Sequence, residues 1–150
     1  MSTLQQQFEH ILVLKDRKGR RIVTLEKNVY TLGRASKNGI VIYDRQVSRY
    51  HATLVRKQDM RTKKYSFWLI DGDLKGKRST NGLLINSKQC LSRKLKIGDV
   101  ITLGDATTIK YYKFSRLALQ KILKPGQMLN QALIDKMLFN NDENKKTIVT

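Results

Sequence analysis

One cysteine, one proline and only 12 acidic side chains stand among 150 residues. With Cys90 alone, no disulfide can close within the chain and no cysteine-type metal cluster can be assembled. The thiol reads as a small, partly buried side chain, not a reactive one. No apolar run approaches the roughly 20 residues of a membrane span. The opening residues, MSTLQQQFEH, lack the charged-then-apolar order of a secretory signal. Internal repeats and low-complexity tracts are absent as well. The length suits about one domain, large enough to bury a core without staples. The expectation is a soluble, cytoplasmic protein.

Basic residues are what the chain has in excess. Lys and Arg number 30 and the formal net charge is +18. Residues 1–114 hold 24 of the cations against 9 carboxylates, net +15, and residues 115–150 hold 6 against 3. Such a balance points to an anionic partner: nucleic acid, an acidic lipid face, an acidic protein or a phosphoprotein. Charge alone does not choose among them, and solubility is its plainest use.

Short runs rich in Val, Ile, Tyr and Thr, separated by turn signals, fill the first 114 residues. His10–Leu14 and Arg21–Leu25 flank the polar turn Asp16–Gly19 and predict a hairpin. Further strands are expected at Val29–Leu32, Gly39–Tyr43, Ala52–Lys57, Tyr65–Ile70, Leu83–Asn86, Val100–Leu103 and Thr107–Phe114. In the run Tyr65–Ile70 both alternating faces carry large apolar side chains, which favours a sandwich over a barrel with one wet face. Near Ser115 the pattern changes. Ser115 is placed to cap a helix carrying Leu117, Leu119, Ile122 and Leu123, which Pro125-Gly126 breaks. A second helical run carries Met128, Leu129, Leu133, Ile134, Met137 and Leu138. Its stripe suits packing on the sandwich or on a partner. The expected division is 1–114 for a binding domain and 115–150 for a helical extension ending in a polar, frayed stretch, Asn141–Thr150. Thr147 lies in that stretch. Its plain reading is an unmodified terminus; phosphorylated, it would be a candidate internal ligand.

Four short motifs fall in fixed order beside these strands: Gly33-Arg34, Ser48-Arg49-Tyr50-His51, Ser79-Thr80-Asn81-Gly82 and Gly98-Asp99. A guanidinium brings charge and forked donors. A hydroxyl and an amide bring neutral hydrogen bonds. Held together on separate loops, such groups make a phosphate receptor. Ser48 three residues before His51 invites a nucleophile–base reading, but neither oxyanion donors nor an orienting acid accompany the pair. The chain reads as a binding module and not an enzyme, with no cofactor or metal implied.

The runs Tyr30–Arg34, Asn38–Ile42, Val47–Ala52, Ser79–Asn86 and Leu95–Gly104 together resemble the forkhead-associated (FHA) domain, over roughly residues 10–114. Any one motif is weak; four in order between strands are specific. The resemblance implies an all-β, SMAD/FHA-type sandwich of eleven strands, here with a short C-terminal helical extension, that binds phosphothreonine peptides through loops at one end. Arg34 then corresponds to the family's phosphate-binding arginine and Ser48 to its phosphate-contacting hydroxyl. The plainer alternatives are one more surface cation and a turn residue. Arg49 would add a phosphate or peptide contact, or be a solvated charge. Thr80 would face the phosphothreonine, and Asn81 would bond the peptide main chain. Gly33, a tight turn after a strand, His51, a structural histidine tying loops together, and Gly82, a positive-φ position after Asn, would support the site. Gly98-Asp99 reads as a turn without a ligand role.

Three departures stand out: Leu83 where the family has Thr, Asn86-Ser87 where Asn-Gly is common, and the long loop Asp71–Arg78. Lys75, Lys77 and Arg78 on that loop would broaden an acidic preference beyond the phosphothreonine. The long-loop form resembles FHA proteins of cyanobacteria and plastids, which makes the plastid stroma the alternative location. The implied function is non-catalytic recruitment of a phosphothreonine-containing partner. The alternatives are a structural subunit held in a large complex or on an acidic protein by the basic surface and the helices, and nucleic-acid binding. Little aromatic interleaving in the basic loops weakens a stacking platform for single strands.

Overall fold

A computed structural model describes residues 7–138; the polar end and Thr147 lie outside the described residues. Eleven strands are present: β1 (Phe8–Asp16), β2 (Gly19–Leu25), β3 (Val29–Gly33), β4 (Ile40–Val41), β5 (Ala52–Gln58), β6 (Tyr65–Asp71), β7 (Leu83–Ile85), β8 (Lys88–Gln89), β9 (Ser92–Lys94), β10 (Val100–Leu103) and β11 (Thr107–Ser115). They form two sheets, ordered β2-β1-β11-β10-β7-β8 and β4-β3-β5-β6-β9. All the pairings resolved between neighbours are antiparallel except β3 with β4, which is parallel. The all-β sandwich expected from the sequence is the fold observed.

The core lies between the sheets. Leu12 and Leu14 from β1, Leu32 from β3, Leu54 from β5, Phe67 and Leu69 from β6, and Ile101 and Leu103 from β10 are all buried in one apolar cluster. Their alternation along each strand is the period-2 signal that predicted the strands. On the outer face of β6, Trp68 lies under the Lys57 ammonium at 4.8 Å; on the other face, at the exposed start of the strand beyond Phe67, Tyr65 lies under the Arg56 guanidinium at 4.6 Å. Part of the second apolar face seen in the sequence is thus covered by a long cationic side chain. Cys90 packs against the cluster edge.

Two strands, β8 and β9, escape the sequence reading. Both are two or three polar residues long, without alternation to detect. The turn before β8 is made by Asn86 and Ser87, both with positive φ (53° and 68°). That is the backbone an Asn-Gly hairpin turn would adopt, so the departure at Ser87 keeps the geometry. The run 39–43 shrinks to the two residues of β4, whose parallel pairing with β3 ends in the bond from the Ile42 N–H to the Gly33 carbonyl.

Two compact units are distinguished: His10–Lys113, and a second whose described parts are 7–9 and 114–138. In the second unit, α1 (Arg116–Ile122) is capped by Ser115, whose hydroxyl accepts from the Ala118 N–H at 3.0 Å. Arg116 donates to Glu9 at 2.8 Å and to the Gln7 side chain at 3.0 Å. A second helix, α2 (131–138), starts after Asn130, whose side chain accepts from the Leu133 N–H. Met128 and Leu129 precede it instead of lying on it. Among the described residues, no helix is long and apolar enough to cross a membrane.

Inside the first unit, His10 is 7% exposed and meets Phe67 edge-on. The Tyr111 hydroxyl, kept protonated by burial, is hydrogen-bonded to its Nδ1 at 2.5 Å. Burial, with the Lys113 and Arg56 charges behind it, pushes the imidazole down to about 4. The unfolded chain then binds a proton that the folded chain refuses between an ordinary pKa of about 6.5 and that value, so stability falls as pH drops through this window. Thermal melts should show the melting temperature declining from pH 6.5 to 5, above the carboxylate range. His10→Gln, which keeps an acceptor for Tyr111, should flatten that part of the profile. A profile unchanged by the substitution would refute the assignment.

Candidate functional site

Register decides which loops meet. Leu32 near the end of β3 lies opposite Ala52 at the start of β5, and Ala52 lies opposite Asp71 at the end of β6. The loops after β3, before β5 and after β6 therefore emerge at one end of the sandwich, and they carry Arg34, Ser48-Arg49 and Thr80-Asn81. Gly98-Asp99 lies at the other end, after β9 has run back antiparallel to β6. Asp99 there is buried and accepts from Asn86, Arg93 and the Lys96 N–H. It is the hub of a turn, remote from the loops that gather Arg34 and Ser48.

His51 joins the three loops. It is fully buried. Its Nδ1 accepts from the Ser48 N–H at 2.9 Å, which leaves the proton on Nε2, and Nε2–H donates to the Gly82 carbonyl at 2.6 Å. Its backbone N–H donates to Leu32 and its carbonyl accepts from Gly72. One side chain and one peptide unit thus tie the β4–β5 loop to β3 and to both ends of the β6–β7 loop. The imidazole has no nitrogen left for proton transfer, as the structural role implied by the resemblance requires.

Ser48 faces the other way. Its Oγ accepts from the Thr80 N–H at 3.0 Å, so its own proton is directed elsewhere. Arg34 spends one donor, Nε, on the Val47 carbonyl at 3.0 Å. That contact orients the guanidinium and leaves its fork outward. Asn81 donates from Nδ2 to the Gln46 carbonyl at 2.8 Å, leaving Oδ1 to accept. Arg34, Ser48, Arg49, Lys77, Arg78 and Thr80 line a single cleft of about 380 Å³ together with Tyr50. Asn81 lines the adjoining cleft, with Gln46, Leu84, Thr102 and Asp105.

Gly33 acts differently from the expectation of a tight turn. It has no positive φ. A Cβ there would sit 2.1 Å from the Arg49 carbonyl oxygen and 2.9 Å from that of Ser48, so it is close approach of the β4–β5 loop that requires glycine. Gly82 does adopt positive φ, at 72°. Its N–H donates to Ser79, whose hydroxyl is held by the buried Asp71.

Other supports had little signal in the sequence. Asn38 is buried and its Nδ2 donates to the Arg49 carbonyl at 2.6 Å and to Ala35 at 2.9 Å, fixing the loop behind Arg34. Asp44 accepts from Gln46, Ala106 and Thr107, each at 2.9 Å. Burial alone would raise its pKa, but these bonds outweigh it and hold the carboxyl below the usual range. Only turn-forming residue types hint at such roles. Among the described residues, no group of three or more His, Cys, Asp or Glu converges as a metal site.

A profile of the FHA domain matches residues 30–104. An uncharacterised Synechocystis protein is 40% identical over 67% of this chain, a stretch that spans only 14% of that relative. The crystal structure of the Slr1951 protein from Synechocystis superposes with a TM-score of 0.65 at 40% identity, over 69% of this chain and 97% of that one. An FHA domain solved in work on phosphothreonine-dependent FHA interactions gives 0.53 at 29% identity, over 69% and 95%. The chain belongs to the FHA domain family, whose members are known as phosphothreonine-binding modules and are generally non-catalytic.

Removing the imidazole tests its place in the site. His51→Ala leaves the Ser48 N–H and the Gly82 carbonyl without partners in a buried cavity. The expected cost is about 2–4 kcal/mol, read as a lower melting temperature, with faster amide exchange at Ser48. An unchanged melt would mean the loops are held by something else.

Proposed function

We propose that this chain is a phosphothreonine-dependent interaction module that recruits a phosphorylated partner and performs no chemistry of its own. The observation that supports it best is the convergence of Arg34, Ser48 and Thr80 on one cleft, from loops tied together by His51. In this reading the Arg34 fork and the Ser48 hydroxyl hold the phosphate and Arg49 adds charge. Thr80 faces the phosphothreonine side chain, and the Asn81 Oδ1 accepts from the peptide main chain. The phosphate brings about −1.5 to −2 charges. Its bonds to a guanidinium are of the strong, charge-assisted kind.

Titration calorimetry tests it with three peptides of one sequence. The phosphothreonine form should bind at about micromolar strength, near −8 kcal/mol. The phosphoserine form should be much weaker and the unmodified form silent. Equal binding of modified and unmodified peptides would overturn the reading. Arg34→Ala should cost about 1.5–3 kcal/mol with little change in the melt, since its side chain is exposed. Ser48→Ala should weaken binding too, but with a stability cost as well, because its Oγ also holds Thr80.

Nucleic-acid binding is a second reading favoured by one observation. Asp44 and Asp71 are buried against backbone N–H and hydroxyl donors, so fewer carboxylates face a partner than the sequence count suggests. Many contacts to a nucleic-acid backbone give a steep salt slope, whereas a single phosphothreonine gives a shallow one. Phosphopeptide affinity should therefore fall only modestly from low to physiological salt. A tight, steeply salt-dependent nucleic-acid complex insensitive to Arg34→Ala would favour the second reading.

A further inference from the structure

The cleft carries more positive charge than one phosphate can use. Arg34, Arg49, Lys77 and Arg78 line it and no carboxylate does. Among the described residues none of the four is ion-paired; the ion pairs found involve Arg17, Arg21, Arg93 and Arg116. One phosphate of about −2 leaves about two of the four positive charges without a counter-charge.

The surplus is built in. Lys77 and Arg78 sit on the long loop after β6, and that loop is folded upon itself. The Asp73 carboxylate takes the Lys75 and Lys77 N–H groups, both at 2.9 Å, and the Asp73 N–H donates to the Lys77 carbonyl at 2.9 Å. Gly72 adopts φ of 83°, and a Cβ there would lie 1.9 Å from the Lys77 carbonyl oxygen. The Lys77–Arg78 backbone therefore rests directly on Gly72, which itself bonds to His51. The Asp73 carboxylate is taken up by backbone N–H groups that close the loop and does not line the cleft, so the cleft side of the loop presents Lys77 and Arg78. Like charges held together before a ligand arrives cost stability and are relieved by an anion.

The charge is one-sided. The adjoining cleft past Asn81 is lined by Gln46, Leu84, Thr102 and Asp105, with no cation among its lining residues. Its one charged member, Asp105, is already paired with Arg17.

Resting on the phosphothreonine reading, we propose that the preferred ligand is a doubly phosphorylated segment, with a second phosphate on the flank of the phosphothreonine that lies over Arg49, Lys77 and Arg78. The shared chemistry is a second anionic group. A phosphate satisfies two cations where an aspartate satisfies one, and its three oxygens suit the guanidinium of Arg78. The flank over Asn81 gains nothing from added negative charge.

The test is a peptide series on the intact chain at physiological salt. It comprises a singly phosphorylated phosphothreonine peptide in a neutral background, the same peptide with a second phosphate two residues before or two residues after, and the same two positions filled by aspartate. One of the two doubly phosphorylated peptides should bind about tenfold or more tighter than the single form, and the other should match it. Aspartate at the favoured position should recover about threefold or less. In the double variant Lys77→Gln and Arg78→Gln, the ratio of double to single affinity should fall to about one, whatever the absolute values. Equal affinity across the series, an equal gain on both flanks, a full gain from aspartate, or a ratio that survives in the variant would each overturn the proposal. The unmodified-series measurement needs no variant to fold. A phosphothreonine peptide that binds while the second phosphate adds nothing would sink this inference alone; peptides that bind irrespective of phosphothreonine would sink the reading beneath it.

Discussion

A buried imidazole holds together the end of this domain where the Arg34, Ser48 and Thr80 loops meet. Loops at the end of a sandwich have no ladder to organise them, and their polar backbone groups must find partners one at a time. His51 supplies two such partners through its ring and two more through its own peptide unit. Because Nδ1 accepts and Nε2 donates, the ring bridges a donor and an acceptor that could not bond each other. A lysine or a carboxylate offers only one kind of partner. The placement of Ser48, and through its Oγ the Thr80 backbone, follows from that bridge.

Carboxylates serve the same end in a different way. Asp16, Asp44, Asp71 and Asp99 are each buried at a turn and accept from two or more donors. A buried carboxylate is tolerated where several hydrogen bonds replace its water. Asp16 and Asp99 also pair with Arg21 and Arg93, whereas Asp44 and Asp71 are bonded by backbone N–H and hydroxyl donors; with few carboxylates left outside, the lysines and arginines dominate what a partner meets. Loop organisation and surface potential are thus coupled through the same few residues.

The positive field is not uniform at the binding end. It concentrates where the β6–β7 loop folds back on Gly72, and it is neutral on the side of Asn81. That asymmetry is a property of backbone packing. Gly72 is required by the approach of Lys77, and Gly33 by the approach of Arg49. Two glycines, each required by a close backbone approach, therefore decide how closely cationic loops can crowd one cleft.

Much of this was readable from the amino-acid order. Alternation of apolar residues marked the longer strands, because each buries one face and the period is local. The motifs around Arg34, Ser48, Thr80 and Asn81 named residues that the fold gathers at one end of the sandwich, and Ser115 announced a helix start through a cap that acts over three residues. β8 and β9 were not legible, since strands of two or three polar residues exist only through their neighbours' hydrogen bonds. Nor was the reason for Gly33, which looks like a turn in sequence and is a contact in space. Asn38 and Asp44 gave no sign of bracing distant loops, for their partners lie 11 and 62 or more positions away. The sequence by itself determined the sheet-forming pattern, the excess of cations and the polar side chains of the loop motifs. Only the tertiary structure decided which cations share a cleft and which carboxylates are spent in holding it, because both depend on packing between segments far apart in the chain.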